Sequence, residues 1–377
     1  MESHIDLVDA GLADIDAGAI LDALSDGVYV CDASRRIVYW NKGAERITGW
    51  TAEDVVGLGC LDNVLCHIDK DGHELCGEEY CPLHRSIITA TGSKTPLLVY
   101  AQGKDGKRIP MLVSVAPLLD DTGKVIGGVE SFQDASVLVT DMEKARAIQE
   151  IAMQHELPKD ERIRFNTHYI PTGIVGGDYY AVAKLDEDRY GIMLADVMGH
   201  GIAAATYTMH LSALWNLYHI LLVSPIEFTS KLNNELVKVV KTDASFATAM
   251  CGMIDLKDQI FRLTSAGAPP VLLMHADGTH EFFRRSGLPL AVMEDADYGE
   301  TNVELHTGDR LLFFSDGAVE IQNAEGKMLG YDGLLDMIKK QGYPVYDIQM
   351  EVLEEDLLKY SNGIRLEDDL TLVEVCL

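Results

Sequence analysis

Two hydrophobic rhythms share this chain. Runs in which Val, Ile, Leu, Tyr and Phe alternate with polar residues, or follow one another directly, predict strands at 27–32, 37–41, 95–102, 108–117 and 125–133. Gly-Lys-Asp-Gly at 103–106 and Asp-Asp-Thr-Gly at 120–123 supply the turns between the last three. Short helices are predicted at 16–24, at 44–50, and at 51–57, the last opened by the cap-like Thr51. Helical spacing then takes over, as Leu138, Met142, Ala145, Ile148 and Ala152 recur among Glu, Lys, Arg and Gln. Beyond it, strands are predicted at 166–171, 178–182 and 190–195, followed by helices at 202–222 and 224–240. Hairpins at 246–254/259–265 and 271–275/281–284 come next, then a strand at 311–314, helices at 331–340 and 346–360, and a last strand at 370–375.

This order divides the chain into a small α/β unit at 16–136, a helical linker at 137–158 and a larger unit at 159–377, an α+β protein overall. The linker stripe fits either a helix packed on its own domain or a parallel pairing with a second chain, which would make a homodimer.

Charge narrows the partners. Lys and Arg number 31 against 60 Asp and Glu, a net of −29. Nucleic acid and anionic membrane surfaces both call for basic surface, so neither is expected as a partner. The apolar run at 202–223 is interrupted by Thr206, His210, Asn216 and His219 and reads as a buried helix rather than a span. The acidic start lacks the basic-then-apolar pattern of a secretion signal, and a cytoplasmic protein is expected.

The candidate chemistry lies at strand ends. Asp178 opens one strand and Asp196 closes its antiparallel neighbour, so both fall at one edge of a sheet. Asp316 closes the strand at 311–314, and Asp368 precedes the strand at 370–375. Singly, Asp316 before Gly317 or Asp196 before Val197 reads as a turn residue. Together, four hard oxygen ligands without a nearby Cys suit Mg²⁺ or Mn²⁺. Gly176, Gly177, Gly199 and Gly201 flank the site and let backbone approach a ligand.

Gly-Gly-Asp-Tyr-Tyr at 176–180, Asp-Val-Met-Gly-His-Gly at 196–201, Ser-Asp-Gly at 315–317 and Asp-Asp-Leu-Thr at 368–371 occur in this order. With Gln-His-Glu-Leu-Pro at 154–158, the chain from Met153 onward resembles the metal-dependent (PPM-type) serine/threonine phosphatases, in the bacterial sporulation stage II and stress-response branch. The resemblance implies an α-β-β-α sandwich and a two-metal, metal-activated-water mechanism. It implies that Asp196 bridges two Mn²⁺ or Mg²⁺ ions. Asp178 and the Val197 carbonyl would complete one site, Asp316 and Asp368 the other. Gly177, Gly199, His200, Gly201 and Asp369 would shape and support the ligands, with His200 either a general acid or a structural part of its loop. The substrate implied is a phosphoserine or phosphothreonine on an anti-sigma-factor antagonist. The sequence departs from the family at Ala268 and Ala291, where relatives carry His and Gly. A catalytically silent scaffold that binds a signalling partner is the alternative.

In the first unit, the Asp-Gly-Val-Tyr-Val-Cys-Asp stretch at 26–32 and the Trp-Asn-Lys-Gly-Ala-Glu-Arg-Ile-Thr-Gly-Trp stretch at 40–50 resemble PAS sensor domains. Their fold is an antiparallel sheet with short helices. Cys60, Cys66, Cys76 and Cys81, with His67, His73 and His84 nearby, match no familiar paired-cysteine spacing. They leave open zinc, an iron–sulfur cluster, another ligand, a redox role, or plain reduced cysteines. A flavin adduct at Cys60 is disfavoured, because the Asn, Arg and Gln of light-sensing relatives are missing around it.

Overall fold

The computed structural model describes residues 16–377 except 61, 63, 78, 79, 155, 200, 240–244, 284–286, 362, 364 and 365. His155, His200, Val240 and Arg284, each part of an expected feature, lie outside the described residues. The boundary between two compact units falls between Asp141 and Met142.

The first unit begins with α1 (Ala17–Asp22), β1 (Gly27–Asp32), β2 (Ile37–Trp40), α2 (Lys42–Thr48), α3 (Ala52–Val55) and α4 (Pro82–Thr89). It continues with β3 (Leu97–Gln102), β4 (Arg108–Leu119) and β5 (Val125–Asp134). The five strands form one antiparallel sheet in the order β2-β1-β5-β4-β3. In the middle of β4, buried residues alternate with half-buried ones, so one face, with Met111 and Val113, joins a core with Tyr29, Trp40, Val55, Leu83 and Phe132. Asn41 caps α2 by accepting from Ala44 N at 2.8 Å. The same buried side chain accepts from Val28 N and donates to Leu21 O and Asp26 O, tying the helix start to β1 and α1. Thr51 and Asp54 close a capping box on α3. Helix α4 was not expected from the sequence; Pro82 at its first turn and Cys81 as its cap start it.

Helix α5 (Ser136–Met153) spans most of the expected linker at 137–158, and the boundary between the units falls within it. Buried Gln149 donates to Gly176 O and Thr208 Oγ1, both at 2.7 Å, and Ser212 Oγ donates to Ala152 O at 2.8 Å. The stripe divides: Met142, Ala145 and Ala152 are half-buried, while Leu138 and Ile148 are exposed.

The second unit holds β6 (Arg164–Ile170), β7 (Asp178–Lys184), β8 (Arg189–Val197), α6 (Ile202–Tyr218), α7 (Pro225–Val239), β9 (Ala247–Asp255) and β10 (Ile260–Ala266). It ends with β11 (Val271–Met274), β12 (His280–Phe283), β13 (Glu300–Glu304), β14 (Arg310–Phe314), α8 (Gly330–Lys340), α9 (Met350–Ser361) and β15 (Leu370–Cys376). Two five-stranded sheets result, β13-β10-β9-β8-β7 and β12-β11-β14-β15-β6. Ile192, Leu194, Phe261, Phe313 and Val373 fill the space between them. Trp215, Phe228 and Leu232 of α6 and α7 cover the outer face of the first sheet, and Leu334, Ile338 and Leu353 of α8 and α9 cover that of the second. This is an α-β-β-α sandwich. Strands β8 and β9 read as unbroken apolar runs because both their faces are covered. The expected helix at 202–222 ends at Tyr218, and a 3-10 turn continues to Val223. Helix α9 starts at Met350 rather than 346.

Candidate active site

Each sheet sends carboxylates to the same end of the sandwich. Asp178 and Asp196 are direct cross-strand partners at the end of the β7–β8 ladder. Like charges placed opposite one another destabilise a strand pair unless something lies between them. In the second sheet, Phe314 pairs with Leu372 near the end of the β14–β15 ladder, and Ser315 N donates to Thr371 O at 3.0 Å. Asp316 therefore begins a 3-10 turn beside the residues that lead into β15, Asp368 and Asp369.

Hydrogen bonds lock the two sheet ends together. Thr371 Oγ1 donates to Asp178 Oδ2 at 2.5 Å. Asp369 accepts from Thr172 N at 2.7 Å, Thr172 Oγ1 at 3.0 Å and Gly177 N at 2.5 Å. Ser315 Oγ donates to Asp369 O and accepts from Thr371 N. Asp369 is thus a buried brace between the β6–β7 loop and β15, while Asp368 beside it is exposed and accepts from Asp369 N at 2.8 Å. Gly317 is required here, since a Cβ would stand 2.1 Å from Asp369 O. A Cβ on Gly177 would crowd the carbonyls of Val197 and Gly199, at 3.0 and 3.2 Å. Buried Val197 donates its N–H to Gly177 O. Gly199 and Gly201 both have positive φ, at 94° and 84°, and bracket His200, which lies outside the described residues.

The electrostatics follow from this crowding. Asp178 is fully buried, and burial followed by the Asp196 charge pushes its carboxyl well above the ordinary range. Burial, then Asp316, Asp368, Asp369 and Glu320, push Asp196 up to about 7. Burial, then Asp368 and Glu320, push Asp316 up to about 6. Asp316 Oδ1 is buried with no hydrogen-bond partner. Such a set wants a cation. Its all-oxygen donors and orphaned oxygen fit Mg²⁺ or Mn²⁺. Among the described residues, the sets of three donor atoms within 4.8 Å of one another do not include these carboxylates, so an ion would draw them closer. Glu320 and Thr172 were not singled out in the sequence, and Ser315 and Thr371 entered only as members of their motifs, without a role. Glu320 follows the Asp316 turn and donates its N–H to Asp316 O at 2.8 Å, a one-turn spacing that could have flagged it.

Of the sensor cysteines, Cys60, Cys76 and Cys81 line one enclosed cavity together with His67, and Cys66 does not. All seven cysteines are free thiols.

A double sheet between helix pairs, with acidic side chains gathered at one end, defines the class of the metal-dependent phosphatases. The chain belongs to the stage II sporulation protein E (SpoIIE) family, which matches residues 186–377, just over half of it. A PAS domain matches residues 25–136. The phosphoserine phosphatase RsbP of Bacillus subtilis is 29% identical over 183 residues, covering 48% of this chain and 45% of that protein. The phosphoserine phosphatase RsbU of the same organism is 24% identical over 310 residues, 80% of this chain and 87% of that protein. The SiaA-PP2C domain of Pseudomonas aeruginosa superposes with a TM-score of 0.55 at 20% identity, over 64% of this chain and 99% of that domain, a likeness of fold. The chain spans less than half the length of RsbP. Among the described residues, no helix is long and apolar enough to cross a membrane.

Proposed function

We propose that this protein is a sensor-regulated, cytoplasmic protein serine/threonine phosphatase. Its substrate would be a phosphoserine or phosphothreonine on a regulatory protein of the anti-sigma-factor antagonist type. The observation that carries this reading is the meeting of Asp178 and Asp196 with Asp316 and Asp368 at one end of two sheets. In it, Asp178, Asp196, the Val197 carbonyl, Asp316 and Asp368 would together hold two divalent ions, with Asp196 shared between them. Bound Mn²⁺ or Mg²⁺ would supply an activated water and neutralise the phosphoryl oxygens, lowering a barrier that is otherwise very high. The protein's own part is orientation. Thr371 fixes the Asp178 carboxylate, and Asp369 holds the loop that carries Gly177. The N-terminus of α6 follows directly after Gly201 and offers free N–H groups to phosphate. The two phosphoserine phosphatases among the relatives support the same activity.

A homodimer through α5 belongs to this reading. Val137, Leu138, Ile148 and Ile151 are 77%, 38%, 57% and 70% exposed, an apolar set left uncovered on a helix. The deciding experiment measures Mn²⁺-dependent release of phosphate from p-nitrophenyl phosphate and from a phosphoserine protein. Asp196→Ala should lower the rate at least about a hundredfold, beyond the usual effect of disturbing a residue behind a metal ligand. A folded wild-type protein with no Mn²⁺-dependent turnover would favour the silent scaffold.

A further inference from the structure

Three donor clusters outside the active site have ordinary explanations. Asp309 accepts from His306 N at 2.8 Å and pairs with His275 at 3.0 Å. Asp69 closes a turn through Asp71 N and His73 N. Arg310 neutralises Asp347 and Glu374 at 2.8 and 2.9 Å. The PAS cavity has no such account. His67 and Glu130 are only 4% and 1% exposed. Nε2 of His67 stands 3.6 Å from Oε1 of Glu130, too far for a hydrogen bond, and neither atom has another partner in the protein. A buried imidazole nitrogen without a partner is costly unless something meets it.

The cavity that His67 lines is otherwise rich in sulfur. Cys60, Cys76 and Cys81 line the same cavity, brought there from the segment that leads into α4 at Pro82. Two of the three sulfurs are already supported by backbone. His67 N donates to Cys76 Sγ at 3.1 Å, and His84 N donates to Cys81 Sγ at 3.5 Å, where Cys81 caps α4. These N–H groups favour thiolate, but burial outweighs them and raises both thiols above their ordinary range, so the thiolate form would need a cation beside it. The cavity holds about 10 Å³. That is room for one ion or one water. A haem or flavin pocket needs roughly 300 Å³ or more.

We propose that this cavity is a zinc site, with the thiolates of Cys60, Cys76 and Cys81 and Nε2 of His67 as its four ligands. Three thiolates and one imidazole form a closed structural donor set for Zn²⁺. The ion would staple the segment from Cys60 to α4, whose bridges of Ile68 to Glu74 and Tyr100 are otherwise isolated. These four are not among the sets of three donors within 4.8 Å of one another, so the site would form only with the side chains turned toward the ion. The site does not depend on the phosphatase reading.

The test is elemental analysis of the full chain, purified without chelator, together with the absorption spectrum of the cobalt-loaded protein. About one zinc per chain is expected, kept in Asp196→Ala and lowered at least about tenfold in Cys76→Ser of unchanged circular dichroism. Cobalt loading of the wild type should give a thiolate-to-cobalt charge-transfer band, a result that stands even if Cys76→Ser fails to fold. Wild-type protein without zinc, zinc content unchanged in Cys76→Ser, an iron–sulfur chromophore, or a cobalt spectrum lacking the sulfur band would each overturn the proposal.

Discussion

At the end of the sandwich, carboxylates are presented at strand ends, Asp178 and Asp196 paired in register, and braced by Thr371, Ser315 and Asp369. In the PAS unit, thiols and an imidazole are presented from a segment with few ladder hydrogen bonds of its own. The first arrangement is rigid before anything binds, and its cost is repulsion among buried charges. The second has no named strand among its described residues, and its cost is an unpartnered ring nitrogen. A rigid acidic rim suits a small, exchangeable hard cation that must be positioned for chemistry. A soft set suits an ion that supplies the missing order itself.

The sharpest way to break this contrast is to exchange the losses. Asp316→Ala should remove at least about a hundredfold of the phosphatase rate, whereas Cys76→Ser should leave Mn²⁺-dependent turnover of p-nitrophenyl phosphate far less affected. Steady-state kinetics on both variants checks it; equal losses would erase the distinction. A middle effect is expected at Thr371→Val, which leaves Asp178 without its 2.5 Å donor. Mn²⁺ affinity should weaken by roughly 10–100-fold, with kcat largely recovered at saturating Mn²⁺. A loss of kcat at unchanged Mn²⁺ dependence would count against the orienting role.

Much of the rim was legible in the sequence because its signals are local. An Asp next to a strand end can be read from a dozen residues, and four repeats of that pattern fixed the site's address. Asp369 was expected as a support, but its partner Thr172 and the bond from Thr371 to Asp178 were not legible, because they act across nearly 200 residues of chain. Strand β13 was missed because Glu-Thr-Asn-Val-Glu carries one apolar residue, and only pairing with β10 makes it a strand. Helix α4 was hidden inside the cysteine segment, and Gln149 looked like a solvated helix residue until its buried bonds to Gly176 and Thr208 appeared. The cysteine spacing fixed no geometry; the cavity replaced Cys66 with His67 as a facing donor.

The next effect concerns pH in the metal-free protein. Asp196 and Asp316 titrate near 7 and 6 in the folded chain, above the ordinary carboxyl range. The folded state then holds protons that the unfolded chain has released, so stability should fall as pH rises from about 4 through 7. Chelator-treated protein should show a declining urea midpoint over that window, and Asp196→Asn should flatten the decline. A midpoint that rises there would reverse the sign and refute the crowding. The smallest effect is on assembly. Ile148→Asp with Ile151→Asp should shift sedimentation from dimer to monomer without changing the fold; unchanged sedimentation would remove α5 from the interface.

The central claim is that strand-end carboxylates from two sheets jointly hold divalent ions, and calorimetric titration of the metal-free protein with Mn²⁺ tests it most directly. Binding should be lost in Asp196→Ala and weakened in both Asp178→Ala and Asp316→Ala, one substitution in each sheet. Mn²⁺ binding that survives Asp196→Ala unchanged, or that responds to substitutions in one sheet alone, would contradict it.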